Sequence, residues 1–238
     1  MNPTLRLIEN QIAMAGIRNR LEENKLPPGR HVTEAGVGFG PCLWVSRECG
    51  SGGGRVAQQV GERLGWTVFD SRMVDEIAQS AHVHQHLVQS VDERVHSHWE
   101  QAWREHLLDD LSDSNYLRHL RQVVTALGHH GNVVLVGRGA QFMLPTVCGL
   151  RLRLVAPLED RAQRLAENEK LSLIEARAKV RRVDAERATF IRKIFKADVA
   201  SPANQDLILN TGEITLAGAV EIALAAIAQK LGVRPGLA

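Results

Sequence analysis

Cysteine is scarce, and its placement excludes a class. The three thiols, Cys42, Cys49 and Cys148, are odd in number and contain no Cys-x-x-Cys pair, so no disulfide framework is expected and all three read as reduced. Also missing is any apolar run of the roughly 18 residues that a membrane-spanning helix needs. Acidic residues near the N-terminus, without an apolar signal-peptide core, add to the expectation of a cytoplasmic protein with no membrane partner. Charge of one sign is not in excess: 29 Lys+Arg against 27 Asp+Glu leave a net charge of +2. No whole-molecule field recruits nucleic acid, and no nucleic-acid partner is expected. Internal repeats are absent as well. What remains, with 44% hydrophobic and 24% charged residues, is ordinary for a globular chain, and 238 residues suffice for one sizeable α/β domain with an appendage.

A further absence concerns a lysine. Cys42-Leu43-Trp44-Val45 reads as a short buried strand that runs through Ser46-Arg47-Glu48-Cys49 into Gly50-Ser51-Gly52-Gly53-Gly54 and then a helix from Arg55. Glycines allow a tight turn with N–H groups pointing inward, and the start of the following helix adds about half a unit of positive charge. Strand, Gly-Ser-Gly and helix in that order form a P-loop, a cradle for phosphates, whose usual pattern is Gly-x-x-x-x-Gly-Lys-[Ser/Thr]. With Gly52 as the second glycine, Arg47 stands at the first, Gly53 at the lysine and Gly54 at the magnesium-binding hydroxyl. The cradle is present; its lysine and hydroxyl are not. A dinucleotide fold is the competing reading, because Asp70 follows Gly50 by 20 residues after the strand-like Trp66-Thr67-Val68-Phe69. Its fingerprint fails at Arg55, where the third glycine should permit close helix–strand packing.

Along the chain, residues 1–40 read as an N-terminal docking helix and linker, and residues 41–238 as the main domain. Arg55 to Leu64 is expected as a helix closed by Gly65. Residues 71–130 have apolar positions three and four apart and predict a helical insertion. Val133-Val134-Leu135-Val136 is a run typical of a parallel strand buried on both faces. Leu150–Val155 and Asp206–Asn210 are further strands. Glu159 to Glu169 is helical, Ser172 to Lys196 predicts a long basic helical pair, and Thr215 to Leu231 an alanine-rich helix capped by Thr215 and stopped by Gly232. Five strands alternating with helices predict a parallel sheet covered on both faces.

Ligands of open parallel sheets bind at the carboxyl ends of the strands. There stand Gly50 to Arg55, then Asp70 and Arg72, then Gly137 and Arg138. A guanidinium between two glycines at a buried strand end suits a planar, two-pronged phosphate contact. Asp70 has an alternative as a turn or helix-cap residue, Arg161 and Arg164 as a solvated helix face, and Arg187 as half of an Asp184–Arg187 surface pair. Cys49 reads as a buried small residue rather than a redox site. Six of the ten histidines lie between His82 and His106. His82 and His86 would share a helix face, but no cysteine or ligand motif accompanies them, and no protein metal site is expected.

Six blocks in order then carry a family resemblance: Val45 to Gly53, Phe69-Asp70, Val136 to Gly139, Ala156 to Arg161, Val183 to Ala188, and Asp206 to Thr211. Over roughly residues 43–230 the chain resembles the cytidylate kinase-like family of the nucleoside monophosphate kinases. The resemblance implies a P-loop kinase-like α/β fold with a five-stranded parallel sheet and a helical lid over about residues 172–196. It implies ATP phosphates on Gly50, Ser51, Gly52, Gly53 and Gly54, with Arg55 as the candidate for part of the lysine's role and Mg2+ bridging the phosphates. An acceptor nucleotide, CMP or a related small phosphate, would bind near Asp70, Arg72 and Arg138. Arg187 and Arg181 would screen charge in the transition state beside Arg138. True cytidylate kinases place an aspartate where this chain has Gly139. The second functional class is an inactive nucleotide-binding regulator, favoured by the loss of lysine and hydroxyl and opposed by the lid arginines.

Overall fold

Seven strands and six α-helices occur among the residues that the computed structural model describes, which are 31–32, 38–80, 87 and 115–233. The apolar positions Leu5 to Leu21 of the docking helix expected within residues 1–40, and the histidine pair His82 and His86, lie outside them. Within the expected linker, β1 (His31–Val32) and β2 (Gly38–Phe39) form a two-residue antiparallel pair, an element that glycine-rich sequence did not announce.

The main sheet is built from β3 (Cys42–Arg47), β4 (Thr67–Phe69), β5 (Val133–Val136), β6 (Gly149–Val155) and β7 (Leu207–Asn210), all parallel. Their spatial order is β4-β5-β3-β6-β7. The strand following the glycine turn is therefore at the sheet edge, with β5 inserted between it and β3. In the dinucleotide fold the second strand neighbours the first; the order excludes that reading and places Asp70 two strands away from the turn.

Helices cover both faces because the strands alternate two apolar sets. Leu43, Val45, Val134, Val136, Leu152 and Leu154 pack against α1 (Gly53–Leu64) and α6 (Leu216–Leu231). Cys42, Trp44, Val133 and Leu135 face α2 (Ser71–Gln79) and α3 (Asn115–His130). Each such fully buried aliphatic or aromatic side chain contributes about 1.5–3 kcal/mol relative to exposure.

Caps set the helix ends. The Asp70 carboxylate accepts from the amides of Arg72 and Met73 at 2.9 Å each, Thr215 Oγ1 accepts from Gly218 N, and Gly65 and Gly232 end their helices in left-handed conformations. Helix α1 begins two residues earlier than its expected start at Arg55. Gly53 and Gly54 are its first turn, since neither glycine needs positive φ there.

Ser172 to Lys196 is one continuous helix and not a pair. A capping box between Ser172 and Glu175 starts α5 (Leu173–Phe195), and Lys196 ends it in a left-handed conformation. No glycine or proline interrupts the 23 residues, so nothing breaks them. Its partner is instead the preceding helix α4 (Leu158–Glu169). The two form a hairpin with a small core of Ala162, Leu165, Ala176 and Val180, into which Cys49 inserts.

Candidate active site

The carboxyl end of β3 delivers Arg47, Glu48 and the glycine turn to the top of the sheet. Gly50 and Gly52 both have φ of 80°, a conformation open to glycine at little cost. The amides of Gly50, Gly52, Gly53 and Gly54 donate to no acceptor among the described residues. These are the free donors that a helix start presents to an anion.

The turn is held from three sides. Asp184 of α5 accepts from the Cys49 amide at 2.7 Å and pairs with Arg161 at 2.5 Å. Arg161, 9% exposed, donates to the Cys49 carbonyl and the Ala156 carbonyl, and stands 3.3 Å from Glu48. Thr211 Oγ1 donates to the Ser51 carbonyl at 2.7 Å. Arg161 is thus a buried brace and not a solvated helix face. Arg164 is half-buried and bonded to the Thr211 hydroxyl and carbonyl, leaving its remaining surface toward the turn. Cys49 is buried, and burial pushes its thiol pKa up, in keeping with a packing residue.

Two cavities meet here. One, of about 370 Å3, lies over Gly50–Arg55 and is bordered by Arg47, Arg164, Arg187 and Leu216. The other, of about 550 Å3, lies between the ends of β3 and β5 and helix α5, with Arg47, Ser71, Arg138, Arg153, Phe142 and Phe190 in its wall. Arg47, Glu48 and Arg187 border both. The Arg47 guanidinium donates only a long 3.4 Å bond, to Ser71 Oγ, and has no carboxylate partner among the described residues. Burial, then the neighbouring Arg187, push its pKa down to about 10, against the pull of Asp70. Two cations side by side without a shared anion favour whatever anion enters between them.

The expected site residues separate into groups. The five residues Gly50 to Gly54 and Arg55 border the first cavity, except Ser51, which is buried beneath it. The Ser51 hydroxyl donates to the Glu48 carbonyl at 2.9 Å, and Arg55 bonds to Asn168, which lines the same cavity. Arg187 borders both cavities and donates to the Arg47 carbonyl at 3.2 Å; the alternative Asp184–Arg187 pair does not form, because Asp184 is taken by Arg161 and the Cys49 amide. Arg138 is in the second cavity's wall, at a φ of 52°. Its fork holds Asp75, with Nε–Oδ1 at 2.8 Å and a second bond from Nη2 to Oδ2, and it lies 5.6 Å over the Phe190 ring. Tyr116 donates to the same carboxylate at 2.6 Å; burial and that bond push its phenol up.

Three expected residues are not brought to the cavities. Asp70 is the N-cap of α2, which is its structural alternative. Arg72 points to solvent, 79% exposed and paired with Glu76 one turn on. Arg181 is exposed on the outer side of α5 and borders neither cavity. Helical period explains it: six residues separate it from Arg187, about 600° of rotation, so the two cannot share a face.

Sequence reasoning missed Arg47, Asp75 and Thr211. Arg47 stood in plain view as a departure from the P-loop pattern, at a strand's carboxyl end, by the same logic that selected Arg138. No local signal marks Asp75, which meets Arg138 only across 63 residues.

Sheet order, glycine turn and helical hairpin together define an α/β fold of the P-loop kinase type. Residues 44–213 match the model of the cytidylate kinase-like family, and the chain belongs to that family. A cytidylate kinase from Pyrococcus horikoshii is 33% identical over 107 residues, which are 45% of this chain and 54% of that protein. The match thus spans about half the length of that relative. Among solved structures, an uncharacterised protein from Eubacterium ventriosum superposes with a TM-score of 0.63 at 16% identity, over 79% of this chain and 98% of the other, a likeness of fold. A shikimate kinase from Bacteroides thetaiotaomicron gives 0.44 at 14% identity, over 81% and 98%.

Proposed function

We propose that this chain transfers the terminal phosphoryl group of ATP to a small acceptor that already carries a phosphate, a nucleoside monophosphate, with CMP the first to test. The carrying observation is the pair of cavities that share Arg47 and Arg187. Donor phosphates fit the first cavity, where an added Cβ at Gly52 would lie 2.5 Å from Leu216 Cδ2 and one at Gly50 2.4 Å from the Arg161 carbonyl oxygen. Backbone occupies that floor, and phosphate oxygens have the free amides of Gly50, Gly52, Gly53 and Gly54 as donors. ATP supplies the activated phosphoryl group. Gly54 has no hydroxyl and Ser51 has spent its own on Glu48, so Mg2+ would be held chiefly by phosphate oxygens and water.

Phosphoryl transfer needs positioning and charge screening more than covalent chemistry. Arg187, on a helix tied to the turn through Asp184, is placed to contact both phosphates. Arg138, Phe142 and Phe190 form the acceptor's side. An acceptor phosphate is already anionic, so no general base is required. At Gly139 an added Cβ would lie 2.2 Å from the Phe195 ring; no aspartate fits there, and acceptor recognition departs from that of true cytidylate kinases. A coupled assay of ATP consumption over a panel of nucleoside monophosphates should show turnover with at least one, CMP being the leading candidate.

The second reading, an inactive nucleotide-binding regulator, is favoured by one observation: two donors of the Arg138 fork, Nε and Nη2, are already taken by Asp75. ATP binding without turnover on any acceptor in the same panel is its signature. In either case the nucleotide is the expected partner.

A further inference from the structure

We infer that Arg47 is the cation that this P-loop uses in place of the missing lysine, its guanidinium meeting the transferred phosphoryl group from the sheet side and not from the helix. The inference rests on the phosphotransferase reading and deepens it. Its first ground is steric. A Cβ at Gly53, the lysine's position, would lie 2.6 Å from Arg47 Cβ and 3.1 Å from its Cγ, so the stem of Arg47 occupies the space through which a lysine would leave the helix. An arginine at 47 and a lysine at 53 exclude one another in this backbone. The second glycine that makes room is Gly137, where a Cβ would lie 2.3 Å from Arg47 Nη1. One glycine accommodates the stem and the other the guanidinium.

The second ground is the inventory of partners. Arg138 is committed to Asp75, Arg161 to Asp184 and Arg164 to Thr211, and Arg55, exposed, bonds to Asn168 on the rim of the first cavity and does not border the second. Arg153 is held by Ser46 and Glu48. Arg47 and Arg187 are both half-buried, make no ion pair among the described residues and border both cavities, and of the two only Arg47 belongs to the loop itself, with its stem against Gly53. Five donors in a planar fork can hold one oxygen of the donor's terminal phosphate and one of the acceptor's at once. In the step itself an acceptor phosphate oxygen bonds to the γ-phosphorus while the bond from that phosphorus to the β–γ bridging oxygen breaks, the electron pair leaving with ADP. Arg47 gives no proton; it screens charge on the moving group.

The experiment is calorimetry of Mg-ATP and Mg-ADP with wild type, Arg47→Met, Arg47→Gly, Gly53→Lys and the double exchange Arg47→Gly/Gly53→Lys, each checked for folding by circular dichroism. Methionine keeps the stem that packs on Gly53 and removes the charge. Arg47→Met should reduce the preference for ATP over ADP by about tenfold or more, the scale of a charge-assisted hydrogen bond, with ADP affinity little changed. A merely structural arginine would weaken both nucleotides alike. The double exchange should recover the preference that Arg47→Gly loses, whereas Gly53→Lys alone should not fold normally or bind better. Should Arg47→Met not fold, Arg47→Lys must show a preference between those of wild type and Arg47→Gly. A wild-type preference near one, an unchanged preference in Arg47→Met, or no recovery in the double exchange overturns the role of Arg47 alone. Wild type that binds neither nucleotide overturns the phosphotransferase reading and this inference with it.

Discussion

Arg187 shows how one side chain can be tested for chemistry separately from structure. Its half-buried guanidinium borders both cavities and, among the described residues, makes a single 3.2 Å bond to a carbonyl, so its loss costs the fold little. Arg187→Ala is expected to lower turnover on the order of 10³-fold, the scale of a charge-stabilising arginine in phosphoryl transfer, while ATP affinity falls far less. Parallel kinetics and calorimetry check this, and equal turnover in the two proteins removes Arg187 from the site. Gly52 tests the floor of the cradle. At φ of 80° a β-branched residue is strained by roughly 1–3 kcal/mol, and its Cβ meets Leu216. Gly52→Val should therefore lose stability by about that amount and bind no ATP; a folded variant with unchanged ATP affinity would place the cradle elsewhere.

Elements are joined at the sheet's other end by Asp206. Its carboxylate receives the Arg151 amide at 2.8 Å, Arg151 Nη2 at 2.7 Å and Lys230 Nζ at 2.6 Å, which ties the start of β7 to β6 and to the last turn of α6. Burial by itself raises the pKa of Asp206, but the hydrogen bonds from Arg151 and Lys230 outweigh it and hold the carboxyl at about 2. A depressed carboxyl contributes stability that is present above its unfolded pKa of about 3.9 and lost as pH falls toward about 2. Asp206→Asn should cost about 1 kcal/mol at neutral pH, the upper range for a partly exposed pair, and lose less stability than wild type between those pH values. Thermal melts across pH 2–7 decide it; identical curves would show that the triad adds nothing. The hairpin of α4 and α5 is coupled differently, through Asp184, so that a helix 135 residues away in sequence sets the position of the turn it covers.

At the scale of the molecule, a sheet whose turn holds phosphates should be stabilised by the nucleotide it fits. With Mg-ATP at about 100 times its dissociation constant, the gain is about 2.7 kcal/mol. NAD should give none, because the strand order leaves it no neighbouring second strand. Thermal-shift titrations with both ligands check this, and stabilisation by NAD but not ATP would sink the kinase-like reading. No described helix is long and apolar enough to cross a membrane, and no cluster of metal-ligating side chains occurs among the described residues.

The sequence by itself determined what is local. Strand runs of buried aliphatics, the glycine turn after β3, the Thr215 cap and the Gly65 and Gly232 stops are written in neighbouring residues, whose backbone preferences and period do not depend on the rest of the chain. It also determined the family, because six short blocks in order are a long constraint even when each is weak. Tertiary structure decided which groups meet. Arg138 and Arg47 stand at equivalent strand ends, yet among the described residues one finds Asp75 and the other no carboxylate, and only packing across 63 residues makes that difference. Arg187 reaches Arg47 across 140, while Arg181, six residues earlier in the same basic run, faces solvent. Long-range pairing depends on strand order and helix rotation, which composition and spacing leave open; the insertion of β5 beside β3 settled it, and with it the charge between the two cavities.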